Sequence, residues 1–192
     1  MNLKQVQREE THERILDAAR RLFRTDGYQK TGVAQVMESI GLTVGGFYNH
    51  FESKEALFEE VVDKSMSRIV EGEAVEEGDP AAFFSCVVNR YLSTEHRDNP
   101  GIGCILPALT PEVARADDEV QQAYTRFVTR IADRVAGNIA ATGVGEADKR
   151  ALALMALLVG GLMMSRGVDD EALSEQILAA SREAAESIVK AP

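Results

Sequence analysis

Thr43, Val44, Gly45 and Gly46, followed at once by Tyr48, Asn49 and His50 and then by Lys54, bring together the side chains that a polyanion with readable edges would call for. A tyrosine hydroxyl, an imidazole and an ammonium can each donate a hydrogen bond or place positive charge at a phosphate without reading sequence. An asparagine amide can pair with adenine N6 and N7. Two adjacent glycines cost a helix roughly 1 kcal/mol each against alanine, and close approach of backbone to a ligand is one reason to tolerate them. The chemistry implied is nucleic-acid binding, with double-stranded DNA the leading partner.

These residues need two short helices and a tight turn to hold them. Val33, Val36, Met37 and Ile40 recur at helical spacing, and Gly41 stands where a left-handed residue would stop that helix. Thr43 is placed to cap a second helix, in which Phe47 and Phe51 fall four apart on one face while Val44 with Tyr48 and Gly45 with Asn49 fall on faces turned away. One side packs and the other is offered to a partner. A helical hairpin inside an ordinary bundle would explain the two phenylalanines but not the polar, aromatic and glycine face opposite them.

The segment resembles the N-terminal signature of the tetracycline-repressor (TetR) family: Gly27-Tyr28, Thr31, Gly41-Leu42-Thr43, Gly45, Phe47-Tyr48, His50-Phe51 and Ser53-Lys54-Glu55-Ala56-Leu57 agree in order and spacing. The resemblance implies an all-α protein with an N-terminal three-helix DNA-binding domain, residues 1–52, carrying a helix-turn-helix, and a helical ligand-binding and dimerisation domain, residues 53–192. It further implies a homodimeric, ligand-responsive transcriptional repressor, bound to a pseudo-palindromic operator and released by a small-molecule inducer. In this reading Thr43, Val44, Gly45 and Gly46 meet base edges, since recognition helices present their N-terminal residues there, and Thr31, Tyr48, His50 and Lys54 meet phosphates. Asn49 and Gly32 depart from the family pattern; glycine at 32 can cap a helix but supplies no side-chain contact.

Composition is compatible with this. The chain has 192 residues, 45% apolar, enough for one small and one larger helical unit. Its net charge of -10 is unevenly spread: residues 1–68 hold 10 basic and 11 acidic side chains, residues 69–192 hold 11 and 20. Lys4, Arg8, Arg14, Arg20, Arg21, Arg24 and Lys30 precede the motif, so a positive surface is feasible there, with Arg14 and Arg21 read as solvated helix face. The N-terminus lacks a secretory signal and the apolar run Ala151 to Met164 is 14 residues, short of the roughly 20 that span a bilayer, so no membrane partner and a cytoplasmic location are expected.

Further elements follow from periodicity. A first helix runs from about Thr11 to Thr25, ended by Asp26-Gly27. Ser53 caps a long helix to about Glu71, a lever between the domains, and an acidic linker runs from Glu71 to Asp79. Asp79-Pro80 opens a helix through Leu92, and Asp98 to Gly101 is a turn. Pro107 predicts a kink or break, with a restart at Thr110-Pro111-Glu112. Three helices remain, at about 117–141, 146–166 and 169–190. The last two are expected to form the dimer interface, because Ala151 to Met164 is apolar on every face and Gly160 and Gly161 permit close helix approach.

Phe83, Phe84, Tyr91, Cys104, Tyr124, Phe127 and Met163 are the expected lining of a ligand pocket. His12, His50 and His96 are scattered, without metal-ligand spacing, and no cofactor, metal or catalytic constellation is called for. Cys104, in Gly-Cys-Ile-Leu, resembles the electrophile-sensing or redox-sensing cysteine of a TetR subgroup; a plain core cysteine is the simpler reading. A helical ligand carrier that binds no DNA is the rival from another class.

Overall fold

The structure, a computed structural model, describes residues 3–71, 80–101 and 103–190, with the side chains of residues 63, 65–71 and 80–83 outside that description. Of the expected linker Glu71 to Asp79, residues 72–79 lie outside it too. The described residues form helices α1 (Leu3–Thr25), α2 (Val33–Ser39), α3 (Val44–Phe47), α4 (Lys54–Glu71), α5 (Pro80–Tyr91), α6 (Thr94–Asp98), α7 (Leu106–Val113), α8 (Asp118–Ala141), α9 (Ala147–Gly167) and α10 (Glu171–Lys190). The fold is all-α, as expected. By contact it divides into two compact units, Met1–Ile69 with Cys104–Phe127, and Val70–Gly103 with Val128–Pro192.

In the first unit α1 turns its apolar stripe inward: Ile15, Leu16, Ala19 and Phe23 are fully buried, as are Met37, Phe47, Leu57 and Phe58. Tyr28 joins them, edge-on to Phe58 at 4.7 Å and to Phe23 at 5.4 Å. Helix α1 starts two turns before the expected Thr11. Those turns carry no apolar stripe, but Lys, Gln, Arg and Glu are good helix formers and need none. Arg20, counted toward a positive surface, is instead buried beside Asp17.

Of the kink or break expected at Pro107, helix α7 excludes the break and the later restart. The helix is continuous from Leu106 to Val113, with Pro107 in its first turn, where a missing N–H would have had no intrahelical partner. Pro111 lies inside, two residues before the helix ends. Asp117 caps α8, its carboxylate accepting from the Val120 N–H at 3.1 Å.

In the second unit α5, α8, α9 and α10 share one core built from Phe84, Val88, Leu92, Ile139, Leu154, Leu158, Leu162, Leu178 and their neighbours. Gly161 lets α9 lie against α10, since a Cβ there would sit 2.4 Å from Ser181 Oγ; Gly160 has open space around it. The short α6 was not anticipated. Ser93 Oγ accepts from the His96 N–H at 3.1 Å to start it, and Arg97 fastens it to Ser174 and Glu171 of α10 at 2.9 and 2.8 Å.

Candidate nucleic-acid interface

Helix α2 ends by a paired hydrogen-bond pattern that its sequence demands. Gly41, at φ +73°, donates to the Glu38 carbonyl at 3.0 Å, and Leu42 donates to the Met37 carbonyl at 2.9 Å. This is a Schellman closure, with glycine at its left-handed position. It reverses the chain so that Thr43, in extended conformation, becomes the N-cap of α3.

Helix α3 is only four residues long, and its winding continues as a turn: Asn49 donates to Gly46, and His50 and Phe51 donate to Phe47 at 2.8 and 3.1 Å. What holds this segment is therefore side-chain anchorage. Phe47 is fully buried and Phe51 nearly so, their rings stacked 5.5 Å apart, whereas Val44 is 42% and Tyr48 64% exposed. Thr43, Gly45 and Asn49 are exposed as well. The expected division into a packed side and an offered side is present.

Two expected roles differ. Thr43 occupies the cap position without a capping bond from its side chain, so its hydroxyl remains available to a partner. Thr31, expected at a phosphate, is fully buried; its hydroxyl donates to the Gly27 carbonyl at 2.7 Å. It closes the α1–α2 loop from inside and is not a surface group.

His50 is half-buried, and its Nδ1 is buried without a hydrogen-bond partner among the described residues. Burial, then the neighbouring His12, then Arg8 hold its imidazole below the usual histidine range. Lys54 opens α4 after the Ser53 cap, whose Oγ accepts from the Ala56 N–H at 3.1 Å. Its ammonium lies 4.1 Å from the Tyr28 ring centre, a cation–π contact, and burial draws its pKa down against the pull of Glu55 and Glu112. The Tyr28 hydroxyl donates to Glu55 at 3.2 Å, and burial followed by the Glu55 charge pushes that phenol well above its usual range.

Sequence reasoning missed how α1 brackets the motif. Arg14 donates to the Ile40 carbonyl at 2.8 Å, ahead of the turn, and Arg8 donates to the Asn49 carbonyl at 3.0 Å, beyond α3. Arg14 is thus more than solvated face. The lone signal was arginine on a helix whose register against the motif only the fold reveals.

The expected pocket residues fall in both units. Cys104, Tyr124 and Phe127 belong to the first unit, and Phe84, Tyr91 and Met163 to the second; the side chain of Phe83 lies outside the described residues. Cys104 is buried while Cys86 is exposed. Tyr124 bonds to the Thr110 hydroxyl, and its phenol is raised first by burial and then by Cys104. Phe84 lines a cleft of about 230 Å³, shared with Ser85, Thr142, Val144, Glu186, Val189 and Lys190. Among the described residues no helix is long and apolar enough to cross a membrane, and no three metal-ligating side chains cluster.

A Schellman turn between two short helices, a buried phenylalanine pair beneath an exposed polar face, and a capped long helix following them define a helix-turn-helix unit. Residues 15–61 match the family of bacterial regulatory proteins, tetR family. Over that N-terminal segment the chain is similar to TetR-family regulators. It is 27% identical over 161 residues to the uncharacterized HTH-type transcriptional regulator YerO of Bacillus subtilis, covering 81% of this chain and 54% of that one. It is 37% identical over 90 residues to the HTH-type transcriptional regulator AcrR of Shigella flexneri, covering 45% and 42%. The chain thus spans about half the length of these curated relatives. A TetR transcriptional regulator from Legionella pneumophila shares the fold, with a TM-score of 0.76 at 20% identity over 99% of this chain and 98% of that one.

Proposed function

We propose that the chain is a DNA-binding transcriptional regulator, a repressor that holds a pseudo-palindromic operator as a homodimer and lets it go when a small apolar or amphipathic molecule binds. The observation that carries the reading is the division of the α3 segment: Phe47 and Phe51 are sunk in the core while Val44 and Tyr48 stand 42% and 64% exposed beside Thr43, Gly45 and Asn49. A short helix anchored on one face and bare on the other suits insertion into a major groove, with its N-terminal residues at base edges. Thr43, Val44, Gly45, Gly46 and Asn49 would read the groove, and Tyr48, His50 and Lys54 would hold phosphates. Thr31 has no part in this.

The functional division is drawn at residues 1–52 for DNA binding and 53–192 for ligand binding and dimerisation. Helix α9 supports the dimer. Ala151, Leu154, Leu158 and Leu162 cover its own core, while Leu152 and Met164 on the other side are 54% and 64% exposed, with Leu173 of α10 at 45%. Apolar surface on both sides of one helix suits a second copy meeting the first about a two-fold axis, which also matches a palindromic site. The protein would act in the cytoplasm, where the operator is.

A gel shift of the purified chain on the DNA upstream of its own coding sequence tests the reading. Saturable retardation that random duplex competes for only weakly is expected. Equal affinity for both duplexes would overturn operator recognition.

A further inference from the structure

The two extra turns of α1 carry Lys4 and Arg8, which share a helix face with His12 at four-residue spacing. The acidic residues Glu9, Glu10 and Glu13 fall on other faces, and Glu13 pairs with Lys64. At the lower end of the basic stripe, His12 stacks on Phe51 at 4.5 Å, lies 5.7 Å from the His50 ring, and bonds to Glu60 at 2.7 Å. One turn higher, Arg8 is exposed and gives one N–H to the Asn49 carbonyl at 3.0 Å. A guanidinium has five N–H donors in a planar fork. Among the described residues no carboxylate pairs with Arg8, and its helix neighbours three and four positions away are Gln5, Lys4, Thr11 and His12.

A fork tied at one prong to the end of the α3 segment, beside an exposed asparagine and tyrosine and the half-buried His50, places a permanent cation with no carboxylate partner among the described residues. We propose that Arg8 contacts a DNA phosphate flanking the one held at Tyr48 and His50, so that the first two turns of α1 belong to the nucleic-acid interface. The proposal rests on the DNA-binding reading above. Its rival is a strut: Arg8 merely holds the Asn49 carbonyl, and so the orientation of the turn. Like charge gathered around His50 favours the first, because Arg8 and His12 both act against its protonation and a phosphate would relieve that repulsion.

The experiment measures binding of the full chain to two duplexes, the upstream DNA and a random sequence, across a salt series, for the wild type and for Arg8→Gln, Arg8→Ala and Arg8→Lys, each with its thermal melt. Glutamine keeps a donor for the Asn49 carbonyl and removes the charge; lysine keeps the charge. Arg8→Gln and Arg8→Ala are expected to lower the slope of log affinity against log salt by about one per contact, hence about two for a dimer, with affinity at ~0.1 M salt down roughly tenfold per contact on both duplexes. Arg8→Lys should retain the slope. Wild-type slope in every variant overturns the proposal, including the case where only Arg8→Ala binds weakly, which is the strut. A wild type that binds neither duplex overturns the DNA-binding reading itself, and the role of Arg8 with it.

Discussion

The carboxylate of Glu112, on α7, accepts a hydrogen bond from the backbone N–H of Gln29 at 3.0 Å across 83 positions of sequence. Its other oxygen fills the space beside Gly27, where a Cβ would lie 2.1 Å from it at a φ of +90°. The loop that joins α1 to the helix-turn-helix is therefore secured from outside by a charged acceptor and from inside by the Thr31 hydroxyl.

Two substitutions test this fastening. Glu112→Ala leaves the Gln29 N–H to water and should cost about 1 kcal/mol. Gly27→Ala adds the strain of a left-handed residue, about 1–2 kcal/mol, to the displacement of Glu112, and should cost more. Urea denaturation followed by tyrosine fluorescence checks the order; a Gly27→Ala variant as stable as the wild type would contradict the left-handed geometry.

Tyr48→Phe should weaken binding by a similar factor on upstream and random DNA, because a hydroxyl at a phosphate positions without reading bases. Anisotropy titrations of both duplexes measure it. A change of base preference at unchanged affinity would place Tyr48 in the groove instead.

DNA binding should strengthen as pH falls. His50 is held below the usual 6.5 in the free protein, and a phosphate beside it favours the imidazolium, so binding takes up a proton. Affinity rises as pH drops between the bound and free values and levels off below both. His50→Gln should flatten that dependence, and a pH profile unmoved by the substitution would exclude His50 from the contact.

The dimer proposal separates interface from core by exposure. Met164→Glu and Leu152→Glu alter side chains at 64% and 54% exposure and should give folded monomers by sedimentation, whereas Leu158→Arg, at 7%, should unfold the second unit. A wild type that sediments as a monomer at micromolar concentration would remove the interface.

The parts legible in sequence were those with a local cause. Gly41 announced the end of α2 because only a left-handed residue closes that turn cheaply, and Phe47 with Phe51 announced the buried side because their four-residue spacing is independent of context. The parts that were not legible depend on distant partners or on polar helix. Leu3 to Glu10 has no apolar stripe, so periodicity cannot find its two turns. Helix α6 is five residues held by Ser93 and by Arg97 reaching α10, and nothing within it repeats. Pro107 read as a breaker because its effect depends on whether it falls in a first turn, which only the fold decides. Thr31 read as a surface hydroxyl until Gly27 and Leu22 were seen to enclose it.

Gly45 carries a last consequence. A Cβ added there meets nothing within 4 Å, and alanine would favour the helical backbone by about 1 kcal/mol. Folding thus imposes no requirement for glycine at this position, while Phe47 two residues later is wholly committed to it. Under the proposed reading, stability and address are written in different letters of the same short helix: exchanging position 45 should change DNA preference without disturbing the architecture, and a library confined to that residue and its exposed neighbours is the economical route to test it.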